Sequence, residues 1–252
     1  MFLLQNDIGL TSVRYRGLLV PHRAILEVLA RCIRPLLFEN DDAVYHYSKR
    51  GSSTLLAFGE EYFVVFAEHQ RADYVPDRIR IVRGFSGGPS LAIDTFVTVN
   101  AVGEEIEDVR ALRISREHHS RRDLFDFAPV PERLPPVQAA KMLIAFGTPT
   151  AKSEISDDPG HVHVGTVPVP CTYDRPSINA TGLHHAKITA SRGPFLPLDL
   201  DGMSGGAVFS IDGQPGQYVA NYRGMILRGS NGYLHYIDAA LIRRIFEKFG
   251  GS

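Results

Sequence analysis

Cysteine is almost missing from this chain of 252 residues: Cys32 and Cys171 are the two present, far apart and in no metal-like spacing. That excludes a disulfide-stapled scaffold and a cysteine-rich zinc module. Tryptophan is absent, and neither sign of charge dominates, with 27 Lys and Arg against 28 Asp and Glu for a formal net charge of −1. A near-neutral chain has no general attraction to nucleic acid or to an anionic membrane, so neither is expected as a partner. No apolar run is long enough to span a bilayer, and the N-terminus lacks the basic start, apolar stretch and small-residue cleavage site of a secretory leader. The expected location is therefore cytoplasmic and reducing. The histidines His161, His163, His184 and His185 come without an acidic or cysteine partner at ligand spacing, so no metal and no other cofactor is expected.

What the chain does have is apolar content, 44% of residues, enough for a sizeable core. Short runs of β-like composition bounded by turn signals follow one another at Tyr62 to Phe66, Ile79 to Val82, Thr95 to Val102, Ala111 to Ile114 and Lys141 to Phe146. More follow at His161 to Val169, Ala186 to Ala190, Ala207 to Ile211, Gly224 to Leu227 and Tyr233 to Ile237. Their even scatter predicts an all-β architecture. Two helices are expected beside it. Apolar spacing at Ile25, Val28, Leu29 and Ile33 predicts an N-terminal helix over about 22–38 that ends near Pro35, and Asp238 is placed to cap a C-terminal helix from Ala239 to Phe249. Pro131, Pro135 and Pro136 mark a linker. The expected divisions are a helical extension over 1–48, a first barrel over 49–135 and a second over 136–252.

The chemistry-bearing stretch is Asp201-Gly-Met-Ser-Gly-Gly-Ala-Val208. A serine bracketed by glycines predicts a sharp turn, because glycine reaches backbone conformations and close approaches that other residues do not. Upstream, the hairpin formed by Gly51 to Gly59 and Glu60 to Ala67 runs into His69, a candidate general base. Between them, Arg122-Asp-Leu-Phe-Asp-Phe-Ala-Pro-Val130 offers Asp123 and Asp126 as acids, with Asp126 the better match to an "Asp, apolar, Ala" strand start.

In order and in separation, about 57 and 78 residues, these residues resemble the His, Asp and Ser of the trypsin-like, chymotrypsin-fold serine peptidases. The resemblance covers about residues 48 to 240. It implies two six-stranded antiparallel Greek-key barrels and an endopeptidase working through an acyl-enzyme. Ser204 would be the nucleophile, His69 the base, Asp126 its orienting acid, and the N–H groups of Gly202 and Ser204 the oxyanion hole. A second string, Gly84-Phe-Ser-Gly-Gly-Pro89, fails the same test, because too little chain precedes Ser86 to hold both partners; it reads as a hairpin turn.

The resemblance continues in Arg223-Gly-Met-Ile-Leu-Arg-Gly-Ser230, which looks like the family's substrate-pairing strand and makes Leu227, Arg228 and Gly229 candidate substrate-binding residues. Leu198 falls at the expected base of the primary specificity pocket. A leucine there provides no counter-charge for Lys or Arg. Departures from the family pattern are also plain: Phe66-Ala-Glu-His69 precedes the base, Gln70 stands where a cysteine is common, and Met203 replaces the aspartate that pairs with a newly cut N-terminus. The oxyanion loop must then be held by packing or by substrate. These departures keep open a catalytically silent module of the same fold that binds a peptide or a regulatory protein, and, more weakly, an esterase.

Overall fold

The computed structural model describes residues 12–42, 46–71, 76–81, 93–98, 108–114, 125–155, 162–177, 182–189 and 200–249. Ser86, Asp123, His161 and Leu198 lie outside the described residues.

In chain order the strands are β1 (Ser12–Tyr15), β2 (Leu18–Pro21), β3 (Ile33–Glu39), β4 (Tyr47–Phe58), β5 (Glu61–Ala67), β6 (Ile79–Ile81), β7 (Ile93–Thr98), β8 (Val109–Ile114) and β9 (Ala128–Pro129). They continue as β10 (Met142–Gly147), β11 (Ser153–Ile155), β12 (Val162–Val164), β13 (Val167–Pro176), β14 (Leu183–Ile188), β15 (Ala207–Asp212), β16 (Tyr218–Ser230) and β17 (Tyr233–Asp238). The first sheet runs β6-β3-β4-β5-β8-β7, with β9 added along β4. In the second, β15-β10-β13-β14-β17-β16 closes through a β15–β16 pairing into a six-stranded barrel, and β1 and β2 extend it beyond β16. The all-β, two-barrel expectation is thus met, with the first sheet a half-barrel among the described residues.

The N-terminal expectation needs correction. The helix is only Ile25–Ala30, preceded by a turn of 3-10 helix at His22–Ala24. Ile25 and Leu29 are buried as the spacing required, but Ile33 opens β3, whose residues 33–38 are all buried between β4 and β6. Such a run, apolar apart from Arg34, also satisfies a doubly covered strand, and the sheet decides between the two. Pro35 is tolerated because it pairs with Ser52 of β4 just before β6 begins its own pairing at Leu36. The first sheet therefore starts near residue 33 rather than 49, while β1 joins the second barrel in parallel with β16, Val13 opposite Tyr218. The described residues between 12 and 48 thus carry strands of both sheets beside the one short helix.

The C-terminal helix Ala239–Phe249 forms as expected. Asp238 Oδ1 accepts the N–H groups of Ala240 (2.6 Å) and Leu241 (3.0 Å), two of the donors a helix start leaves without intrahelical partners. Its buried face carries Phe246, which stacks on Phe63 of β5 with ring centroids 4.1 Å apart. The helix that follows the second barrel thereby buttresses the strand of the first that leads to His69.

Candidate active site

β5 ends at Ala67 and turns through a 3-10 segment, Glu68–Gln70, that carries His69. Its antiparallel neighbour is β8, and the register sets Ala67 opposite Val109. One step farther along each strand, the Glu68 N–H donates to the Asp108 carbonyl at 2.8 Å, and the Asp108 side chain meets His69. The His69 backbone N–H lies 2.9 Å from Asp108 Oδ1, and Nδ1 lies 2.9 and 2.8 Å from the two carboxylate oxygens. A carboxylate can only accept, so Nδ1 carries the hydrogen and Nε2 is left as the basic nitrogen. The hydrogen bond to Asp108 raises the His69 pKa above its ordinary value; burial works against it, the Asp108 charge adds to it, and the nearby Arg228 charge lowers it.

Asp126, the acid expected from sequence, is not at this site. Its Oδ2 accepts from Arg34 Nη2 at 2.8 Å. Arg34 is only 1% exposed, and a guanidinium so buried requires a counter-charge; Asp126 supplies it. Asp108, which the sequence reading passed over, immediately precedes the apolar positions Val109, Ala111, Leu112 and Ile114 of β8, a place that marks a strand start but not a partner for His69.

Ser204 stands in a loop fastened to both barrels. From the first, Ser52 N–H and Gln70 Nε2 both donate to the Ser204 carbonyl, at 2.9 and 2.7 Å, and Thr54 Oγ1 donates to the Gly205 carbonyl at 2.8 Å. From the second, Gly205 N–H donates to Ile226 O at 2.7 Å and Ile226 N–H returns a bond to Gly206 O. Gly202 and Gly205 have φ of 85° and 81°, values that demand glycine. Met203, fully buried, lies against Gly147, where an added Cβ would fall 2.7 Å from its sulfur. Packing thus occupies the place of the family's ion pair. Among the described residues, the N–H groups of Gly202 and Ser204 have no protein acceptor, and Ser204 Oγ makes no hydrogen bond, to His69 or to any other group.

Of the expected substrate-binding residues, Leu227 is buried at a bulge of β16, Arg228 is exposed opposite His235 of β17, and Gly229 lies over Leu200. β15 accompanies β16 only as far as Met225, so residues 227–230 have one edge without a strand partner among the described residues. Neither a family model nor a curated protein matches this sequence. Solved structures do. A mutant of human heparin binding protein has 12% identity and a TM-score of 0.59 over 88% of this chain and 94% of its own, and human heparin binding protein scores 0.56 over 88% and 92% at the same identity. An inactivated protease paralogue of the scabies mite, also 12% identical, scores 0.52 over 88% and 96%. At such identity the likeness establishes architecture, and the chain has the two-barrel chymotrypsin fold of the trypsin-like serine peptidases.

Proposed function

We propose that this chain is a serine hydrolase that cleaves peptide bonds through an acyl-enzyme, with His69, Asp108 and Ser204 as its triad. The supporting observation is that Asp108 orients His69 and the next residue, Gln70, holds the carbonyl of Ser204, while the N–H groups of Gly202 and Ser204 have no acceptor among the described residues. In this reading Ser204 Oγ attacks the substrate carbonyl as His69 Nε2 takes its proton, and Asp108 stabilises the imidazolium that results. The carbonyl oxygen becomes an oxyanion and receives the Gly202 and Ser204 N–H groups; His69 then returns the proton to the departing amine. Beyond Met225 no described strand lies along the outer edge of β16, where the backbone of Leu227 and Gly229 suits an extended substrate added as an antiparallel strand. Leu198 stands in sequence where the family resemblance expects the base of the specificity pocket, and a leucine offers no counter-charge to Lys or Arg, so cleavage after those residues is disfavoured. Arg228 could serve an acidic side chain if it turned inward, but it is exposed, which favours the apolar preference.

A second reading, a silent binding module of the same fold, draws on the missing Ser204–His69 hydrogen bond and on the structural likeness to an inactivated protease paralogue. A fluorophosphonate probe, followed by intact-mass spectrometry, separates the two. A single adduct on the wild-type protein that is absent from Ser204→Ala supports the hydrolase; a folded wild-type protein that acquires none across neutral and alkaline pH supports the binding module.

A further inference from the structure

The oxyanion loop has a charged neighbour that the triad does not use. Lys49, in the first half of β4, reaches across to the second barrel, where its Nζ donates to the Thr148 carbonyl just after β10. From there it faces the back of the serine loop: a Cβ added to Gly202 would fall 3.0 Å from Nζ, 2.7 Å from Thr148 O and 2.9 Å from Thr150 N. The same corner is bound by Ser52 Oγ, which donates to Gly202 O at 2.6 Å, and by Thr150 N–H, which donates to Asp201 O at 3.0 Å. Burying an ammonium costs free energy, so a lysine is a poor choice for packing alone.

We propose that Lys49 is a positioning residue for the oxyanion site: tethered to Thr148, its ammonium supports the Cα face of Gly202 and places positive charge behind the N–H groups that receive the developing oxyanion. This rests on the acyl-transfer reading above. An ammonium fixed before the reaction begins stabilises negative charge that appears only in the transition state, without reorganisation at that moment. The groups facing it bear on when that charge is present. Burial pulls the Lys49 pKa down to about 8, and the Asp201 carboxylate, the charged group facing it from the serine loop, pulls the other way. The Thr148–Thr150 segment presents backbone and hydroxyl groups only. Lys49 is charged below that value and neutral above it, so its support should fade as pH rises from about 8, whereas the neutral His69 needed for attack accumulates as pH rises through the acid range.

The rate of fluorophosphonate labelling at Ser204, measured from pH 6 to 10 on the wild type, Lys49→Met and Lys49→Arg, tests this. The wild-type rate should climb and then fall with an alkaline limb near the Lys49 value. Lys49→Met should be about tenfold slower at neutral pH and lack that limb, with thermal stability not reduced. Lys49→Arg, which keeps its charge, should restore rate and move the limb upward. If Lys49→Met labels as fast as the wild type with the same profile, the positioning role is overturned while the hydrolase reading stands. If no variant, wild type included, labels at all, the hydrolase reading fails and takes this role with it.

Discussion

Asp108 and Asp126 separate two tasks that the sequence presents as one. Both are acids near the start of short β-like runs, yet Asp108 lies on the His69 ring and Asp126 on the Arg34 guanidinium. Which acid meets a histidine is a matter of cross-strand register, here Ala67 opposite Val109, and register cannot be read from either strand alone. The turn at Ser204 was legible because its geometry is local: positive φ at Gly202 and Gly205 and the buried Met203 between Gly202 and Ser204 belong to adjacent residues. Two outcomes test the division. Because hydrogen bonding to Asp108 raises the His69 pKa, the acid limb of hydrolysis should lie above the ordinary histidine value, and Arg228→Ala, by removing a charge that lowers it, should move the limb higher still. A limb that moves downward in that variant would contradict the assigned electrostatics. Asp126→Ala should leave the limb in place and cost roughly 2 to 4 kcal/mol of stability, measured by urea unfolding, because it strands a buried guanidinium. The same His69 pair contributes to stability fully below the unfolded histidine pKa and loses that contribution as pH rises through the higher folded value. Its effect is small, since half of the His69 side chain is exposed.

At the scale of elements, most strands and the C-terminal helix were readable from periodicity and turn residues, because each has one face in the core and bounded ends. The failure at residues 33–39 has a physical cause: Ile25, Leu29 and Ile33 repeat at helical spacing, yet residues 33–38 are buried on both faces, Arg34 through its pairing with Asp126, as in a strand flanked by β4 and β6. The C-terminal helix matters to the site through Phe246, fully buried and stacked on Phe63. Phe246→Ala should destabilise the protein by about 3 to 5 kcal/mol in denaturant unfolding and loosen β5, the strand that ends in the His69 turn. A loss under about 1 kcal/mol would show that the helix is not the buttress described. The helix start adds a pH dependence. Burial raises the Asp238 pKa, but the hydrogen bonds from His184, Leu241 N–H and Ala240 N–H outweigh it and hold it below the ordinary value. Stability from this cap is present above the unfolded carboxylate pKa and is lost as pH falls through the lowered one.

Over the whole molecule, the site exists because two sheets meet at one loop. Ser52, Thr54 and Gln70 of the first sheet and its His69 turn hold the carbonyls of Ser204 and Gly205, while Ile226 of the second holds the neighbouring backbone. Gln70, 4% exposed, ties the His69 turn to the serine loop: its Oε1 accepts the Ala67 N–H at 3.0 Å while Nε2 donates to the Ser204 carbonyl. Gly51 leaves room for it, since a Cβ there would fall 1.8 Å from Gln70 Nε2. The near absence of cysteine noted at the outset is thus matched by a hydrogen-bonded clasp. Neither the clasp nor the acid could be found from one strand's sequence, for both are contacts between segments far apart in the chain.

The central claim is that Asp108, not Asp126, orients the base that activates Ser204, and the most direct measurement compares fluorophosphonate labelling rates of Asp108→Asn and Asp126→Asn with the wild type at pH 7.5, each protein first shown to be folded by its unfolding transition. Labelling of Ser204 slowed by roughly a thousandfold or more in Asp108→Asn and little changed in Asp126→Asn is the result predicted, because an asparagine amide would favour the wrong His69 tautomer. A folded Asp108→Asn protein that labels at the wild-type rate, or a loss confined to Asp126→Asn, would contradict it.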